Sequence, residues 1–158
     1  MHNELTVTIL KPPHIHLAQL NSSIALRQTV FGSEQGVGVE FFSDESDLIC
    51  IHVLLHLQQK LVGTLRSRPT IEGMKLERIA IDKAYRGRHL GQLLVQQGVK
   101  ANNQKSIYIH SQLPVVPFYA ALGFDSTTEY FTEAGIEHLK MTLSEENKET
   151  LLSRQFLP

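Results

Sequence analysis

Residues 76–95 place an apolar strand, a basic glycine-containing turn and an apolar helix in unbroken succession. Leu76 and Arg78–Ile81 alternate as a strand does. Arg86-Gly87-Arg88-His89-Leu90-Gly91 follows as a turn, and Leu90, Leu93, Leu94 and Val95 open a helix. The first N–H groups of a helix have no intrahelical partner, and the helix dipole favours negative charge there. A strand that runs through a basic turn into a helix is therefore suited to an anion. Arg86, Arg88 and His89 add charge, although the same residues would also make an ordinary solvated loop.

Bulk composition narrows the anion's identity. The 15 basic and 16 acidic side chains nearly balance, which argues against a nucleic-acid or membrane surface and for a small anionic ligand. The length of 158 residues predicts one domain, 1–158. Cys50 is the only cysteine, so no internal disulfide forms and a reducing compartment fits. No apolar run approaches the ~20 residues that span a bilayer. Early polar residues and Pro12-Pro13 stand where a signal-peptide core would lie. A cytoplasmic protein is the expectation.

Leu5–Leu10 reads as a first strand, stopped by Pro12-Pro13. Ile15–Phe31 has helical spacing, with a cap expected at Asn21-Ser22. Glycines 32, 36 and 38 make a loop, and Asp44 to Asp47 a short acidic one. Leu48–Leu57 and Leu61–Arg68 read as a hairpin ended by Pro69. Strand 74–82, a helix from 89 to 102, strand Ile107–His110 and a helix Pro114–Leu122 follow, the last closed by Gly123. Phe124–Phe131 and Ile136–Leu143 form a last hairpin, and Ser144 caps a terminal helix. This order, β-α-β-β-β-α-β-α-β-β, predicts an α/β (α+β) domain. Its mixed, mostly antiparallel central sheet is flanked by helices. Ligands in such sheets bind where neighbouring strands part.

Four segments together resemble the GNAT superfamily of acyl-CoA-dependent N-acetyltransferases. Arg86–Gly91 is similar to its Arg/Gln-x-x-Gly-x-Gly/Ala pyrophosphate loop. Phe118-Tyr119-Ala120-Ala121-Leu122-Gly123-Phe124 is similar to its Phe-Tyr-x-x-Leu-Gly-Phe segment. Leu26-Arg27-x-x-Val30-Phe31-x-x-Glu34-Gln35-Gly36-Val37 and Phe131-x-Glu133-Ala134-Gly135-Ile136-x-His138-x-x-Met141 resemble the ElaA-like branch. His89 stands where the family has its middle glycine, and Gln112 where many relatives have Asn.

The resemblance implies acetyl-CoA as acyl donor. Backbone N–H groups within Arg86, Gly87, Arg88, His89, Leu90 and Gly91 would hold the pyrophosphate. Ile79, Ala80 and Ile81 would pair with the pantetheine arm, and Gln112 would donate to the ligand. Tyr119, a phenol neutral at pH 7, would be the general acid for the departing thiolate. Glu34, Glu40, Glu77, Glu133 and His138 are candidate bases, among which the sequence does not choose. Glu133 and His138 also stand as acceptor-binding residues.

The expected partners are acetyl-CoA and an amine-bearing small molecule or peptide. Acidic residues near 34–47 suggest a cationic acceptor. No metal is expected, because His52 and His56 on one strand would sit about 13 Å apart. A homodimer is expected from how common such oligomers are. A non-catalytic acyl-CoA-binding or regulatory module on the same fold is the alternative, and His89 is the feature that would favour it.

Overall fold

The computed structural model describes residues 4–157. The single domain expected over 1–158 thus includes Met1–Asn3 and Pro158, which lie outside the described residues. β1 (Leu5–Leu10), β2 (Ile51–Leu57), β3 (Lys60–Thr70) and β4 (Gly73–Ile81) pair antiparallel in sequence order. β4 then pairs in parallel with β5 (Ile107–Gln112). The hairpin of β6 (Phe124–Glu133) and β7 (Ile136–Leu143) completes a seven-stranded sheet in the order β1-β2-β3-β4-β5-β7-β6. α1 (Leu17–Arg27) packs on one face, and α2 (Leu90–Ala101) and α4 (Glu145–Ser153) on the other. The short α3 (Val116–Ala121) joins β5 to β6. No helix among the described residues is long and apolar enough to cross a membrane.

Both faces of the central strands are covered, which explains the unbroken apolar run of β2. Val53 and Leu55 join Leu65, Leu76, Leu94, Ile109, Met141 and Leu151 in the larger core. Between them, Leu54 faces the other way, against Leu10 and Leu20. Burying each such leucine contributes about 1.5–3 kcal/mol.

Several boundaries differ from the sequence expectation for local reasons. β2 begins at Ile51 rather than at Leu48, because Glu45–Leu48 form a 3-10 turn. There the Asp44 carboxylate accepts from the Ser46 N–H at 2.9 Å, and Asp47 accepts from the Asp44 N–H at 3.2 Å. Cys50 therefore precedes the strand, and burial pushes its thiol up to about 12. α1 is capped by His16, whose Nδ1 accepts from the Gln19 N–H at 3.3 Å; Asn21 and Ser22 lie inside the helix. Beyond Arg27 the chain widens into a π-helical segment, Gln28–Glu34. β3 continues through Pro69 to Thr70. Its neighbour β2 ends opposite Ser67, so the missing N–H of Pro69 breaks no ladder on that side. Gly123 (φ +100°) ends α3, and the Ser144 hydroxyl accepts from the Asn147 N–H at 3.1 Å to cap α4, both as expected.

Two irregularities shape the middle of the sheet. β4 and β5 pair only over Met74–Leu76 and Ile107–Ile109, then part. In β4, the register against β3 slips so that Arg78 and Ile79 together oppose Leu65, with Arg78 at φ +52°. A bulge of this kind bends its strand and re-aims the side chain it carries.

Candidate active site

Where β4 and β5 part, a cleft of about 230 Å³ opens. Its β4 wall presents Lys75, Glu77, Arg78 and Ile79. β5 contributes His110, Ser111 and Gln112, and α3 contributes Tyr119. The β6–β7 turn supplies Glu133, Ala134, Ile136 and His138. Phe31, Gln35, Val37 and Phe41, on and after the π-helical segment, close the remaining side.

Behind the β4 wall lies a buried ionic network. Arg66 is 1% exposed; its guanidinium donates to Glu77, to Asp44 at 2.7 and 3.0 Å and to Asp47 at 3.0 Å. Arg27, fully buried, donates to Asp47 at 2.8 Å and to the Phe42 carbonyl at 3.1 Å. Arg68 adds a bond to Glu77 at 3.1 Å. Burial opposes the charge on Glu77, but Arg66 foremost, with Arg78 and Lys75, outweighs it and holds the carboxyl below its usual range. Burial likewise opposes the charge on Asp47, and Arg27 and Arg66 reverse the balance. Glu77 thus faces the cleft as a carboxylate whose oxygens are already engaged.

His52 extends this network in a fixed neutral form. Its Nε2–H donates to the Asp47 carbonyl at 2.7 Å, and its Nδ1 accepts from Arg27 at 3.2 Å. Burial lowers its pKa, and a second proton would face the Arg27 guanidinium. The stability this provides is complete above about pH 6.5 and is lost as pH falls below that value. The lowered carboxyls Asp44, Asp47 and Glu77 add a loss of the same sign only below about pH 4. The urea midpoint should therefore begin to fall below pH 6.5. His52→Gln should show a smaller fall between pH 6.5 and 5, the remainder coming from His110, which burial also lowers. An unchanged pH profile in that variant would exclude the effect.

Tyr119 lies edge-on to Phe118 and Phe124, with ring centroids 5.1 and 6.0 Å away. Its hydroxyl makes no hydrogen bond among the described residues, and burial pushes its pKa up to about 12. Across the cleft, the Nδ1–H of His138 donates to the Ile136 carbonyl at 2.8 Å. Because a carbonyl only accepts, this bond leaves the lone pair of neutral His138 on Nε2, 3.9 Å from Glu133. The Phe131 ring stacks on His138 at 5.6 Å and meets His110 edge-on at 4.5 Å, holding both imidazoles.

The basic turn lies beyond the end of β4. Gly87 (φ +78°) and His89 (φ +58°) both take left-handed backbone, and His89 is the residue before α2. A left-handed position is where glycine costs least, which accounts for the family's glycine there and for the departure His89 represents. Arg86 clamps the turn, donating to the Ile81 carbonyl at 2.9 and 3.1 Å and pairing with Glu34 at 2.8 Å. A Cβ on Gly91 would stand 3.3 Å from the Phe118 ring, so the start of α2 packs directly against α3, beside Tyr119.

Of the residues singled out from sequence, Glu77, Ile79, Gln112, Tyr119, Glu133 and His138 share the cleft. Ala80 turns away from it, into a cluster with Leu26 and Val30, and Ile81 packs on the larger core. Glu34 is tied to Arg86, and Glu40 is exposed outside the cleft lining. Asp44 and Asp47 are engaged by arginines, whereas Glu40 and Glu45 of the same stretch are exposed. Lys75, Arg78 and His110 were not anticipated. For Lys75 alone a signal was present in the facing charges of β3 and β4, where Arg66 opposes Glu77 and Arg68 opposes Lys75.

Residues 47–145 match the acetyltransferase (GNAT) domain family. The uncharacterized protein YyaT of Bacillus subtilis is 35% identical over 131 residues, 79% of this chain and 88% of that protein. Protein ElaA of Escherichia coli is 29% identical over 149 residues, 89% of this chain and 90% of ElaA. The crystal structure of E. coli ElaA superposes with a TM-score of 0.80 at 25% identity, covering 89% of this chain and all (100%) of that one. An acyl-CoA N-acyltransferase from Pseudomonas aeruginosa shares the fold at a TM-score of 0.80 and 23% identity, with 89% and 100% covered. The family that Arg86–Gly91 and Phe118–Phe124 suggested is the one found: the chain belongs to the GNAT acetyltransferases, in their ElaA-like branch.

Proposed function

We propose that this acetyltransferase moves the acetyl group of acetyl-CoA onto a primary amine by direct attack, with the Tyr119 hydroxyl as hydrogen-bond donor to the departing sulfur. The observation that carries this reading is the unpaired edge of β4 beyond Leu76, which leads from the basic turn into a cleft holding Tyr119. Backbone N–H groups within Arg86–Gly91 bind the pyrophosphate at the start of α2, and the free β4 edge at Ile79–Ile81 receives the pantetheine arm. His89 takes the left-handed conformation that a glycine would, so the turn keeps its shape and the reading as an enzyme is favoured over a binding module.

Making a lysine-like amine neutral at pH 7 costs about 4–5 kcal/mol. Glu77 is poorly suited to take that proton, because its arginine partners depress its basicity. His138 is better suited: its Nε2 lone pair is available, and the carboxylate of Glu133 stands close enough to stabilise the imidazolium that forms. As the C–N bond forms and the C–S bond breaks, the amine proton passes to His138 and the sulfur leaves with the electron pair. A phenol held near 12 does not give its proton fully to an ordinary thiolate, whose acid has a pKa of about 8.5. Tyr119 therefore acts through a hydrogen bond that strengthens as charge develops on sulfur.

The test is calorimetric titration with CoA combined with thiol release from acetyl-CoA across a panel of amines. CoA should bind more tightly than ATP, and at least one amine should be acetylated. His89→Gly should bind CoA as well or better and gain up to about 1 kcal/mol of stability from relieved backbone strain. A marked loss of CoA affinity in that variant would mean that the imidazole itself contacts the ligand. CoA binding without turnover of any amine would favour the binding-module reading.

A further inference from the structure

The β4 wall of the cleft carries more positive charge than its own partners neutralise. The ionic network joins five cations, Arg27, Arg66, Arg68, Lys75 and Arg78, to three carboxylates, Asp44, Asp47 and Glu77. The bonds are unevenly distributed. Arg27, Arg66 and Arg68 hold the acids through short hydrogen bonds, and all three lie behind the cleft lining. The two cations that do line it, Lys75 and Arg78, make no hydrogen bond among the described residues. Lys75 is only 6% exposed, and its ammonium has Glu77 at 3.6 Å as its ion-pair partner. Arg78 stands 3.9 Å from Asp44 and 4.0 Å from Glu77, its guanidinium lying over the Phe41 ring at 5.1 Å. Its left-handed bulge is what turns it toward the cleft. Lys75 is nearly desolvated and Arg78 keeps 18% of its side chain exposed, and both hold donors free to meet a ligand in the cleft.

The opposite wall has the other sign. There Glu133 sits beside His138. Leaving the histidines aside, the two unmatched positive charges and Glu133 give the cleft a net charge of about one positive. The reactive form of an amino acid, with its amine neutral and its carboxylate ionised, carries one negative charge.

The geometry points to an acceptor that is itself an amino acid, its carboxylate bound by Lys75 and Arg78 and its amine directed toward Glu133 and His138. Arg78 offers the planar fork that pairs with a carboxylate, and Lys75 a point charge beside it. This assignment rests on the acyl-transfer reading above, and it reverses the cationic acceptor expected from residues 34–47.

The experiment measures thiol release from acetyl-CoA with matched sets of acceptors. Each set holds a free α- or ω-amino acid, its carboxamide and the amine lacking the carboxyl group; O-phosphoethanolamine is added as a phosphate-bearing amine. In the sets that react, kcat/KM for the free acid should exceed that for its amide at least tenfold. Arg78→Gln should reduce the acid-to-amide ratio tenfold or more while calorimetry shows unchanged CoA affinity. Arg78→Lys should retain part of the ratio. Amides or carboxyl-free amines reacting as fast as the acids would overturn the inference, as would a faster reaction with O-phosphoethanolamine, or no reaction with any acid although CoA binds. Absence of CoA binding would instead overturn the acyl-transfer reading itself.

Discussion

Tyr119→Phe should lower kcat about 100- to 1000-fold while leaving the dissociation constant for acetyl-CoA nearly unchanged. The substitution removes one oxygen and nothing else. Ring packing on Phe118 and Phe124 is kept, and the hydroxyl has no hydrogen bond among the described residues to lose. Stability should therefore stay the same or rise slightly, since an apolar environment already disfavours a polar atom there. The effect is confined to the step in which negative charge appears on sulfur, so it enters kcat and kcat/KM together. Donors of this kind owe their strength to the exclusion of water from the site in which they act. Steady-state kinetics and CoA titration on the same preparation decide the matter. Turnover within about threefold of the parent protein would remove Tyr119 from the chemistry.

Arg66→Met should be the most damaging single change to stability, at about 3–5 kcal/mol. The cost comes less from the loss of attraction than from what remains: Glu77 and Asp47 stay buried, and each loses its principal guanidinium or one of two. Denaturant unfolding monitored by circular dichroism measures the loss. A double variant, Arg66→Met with Glu77→Leu, should recover part of it, because the orphaned carboxylate goes with its partner. A single-variant loss below about 1 kcal/mol would mean that water enters the network and solvates the charges.

The fold was legible from residue order because its signals are local. Hydrophobic alternation, Gly123, Ser144 and the Ala134-Gly135 turn each act within a few residues. Boundaries failed where a side chain competed with backbone periodicity. Asp44 and Asp47 fold Glu45–Leu48 back on itself, so that the apolar Leu48 and Ile49, 58% and 56% exposed, lie outside the strand their neighbours form. The basic turn was legible for the same local reason. The charged wall of the cleft was not, since it is assembled from charges on facing strands and from a bulge at Arg78 that no local pattern announces. The pairing of Glu34, Asp44 and Asp47 was not legible from the stretch 34–47 itself, because their arginine partners come from elsewhere: Arg27 from α1, Arg66 from β3 and Arg86 from the turn after β4.

The three-residue parallel junction between β4 and β5 has an evolutionary consequence. It leaves β1–β4 and the β5–β7–β6 group each bonded antiparallel within itself, so neither needs the other to complete its ladders. The turn Arg86–Gly91, proposed to hold the cofactor, follows the first group, and Glu133 and His138 belong to the second. On the acyl-transfer reading, mutations in the β6–β7 hairpin retune the His138 side of the cleft without disturbing that turn, while Lys75 and Arg78 stay with the first group. A lineage built on this plan can diversify its acceptors while inheriting one donor.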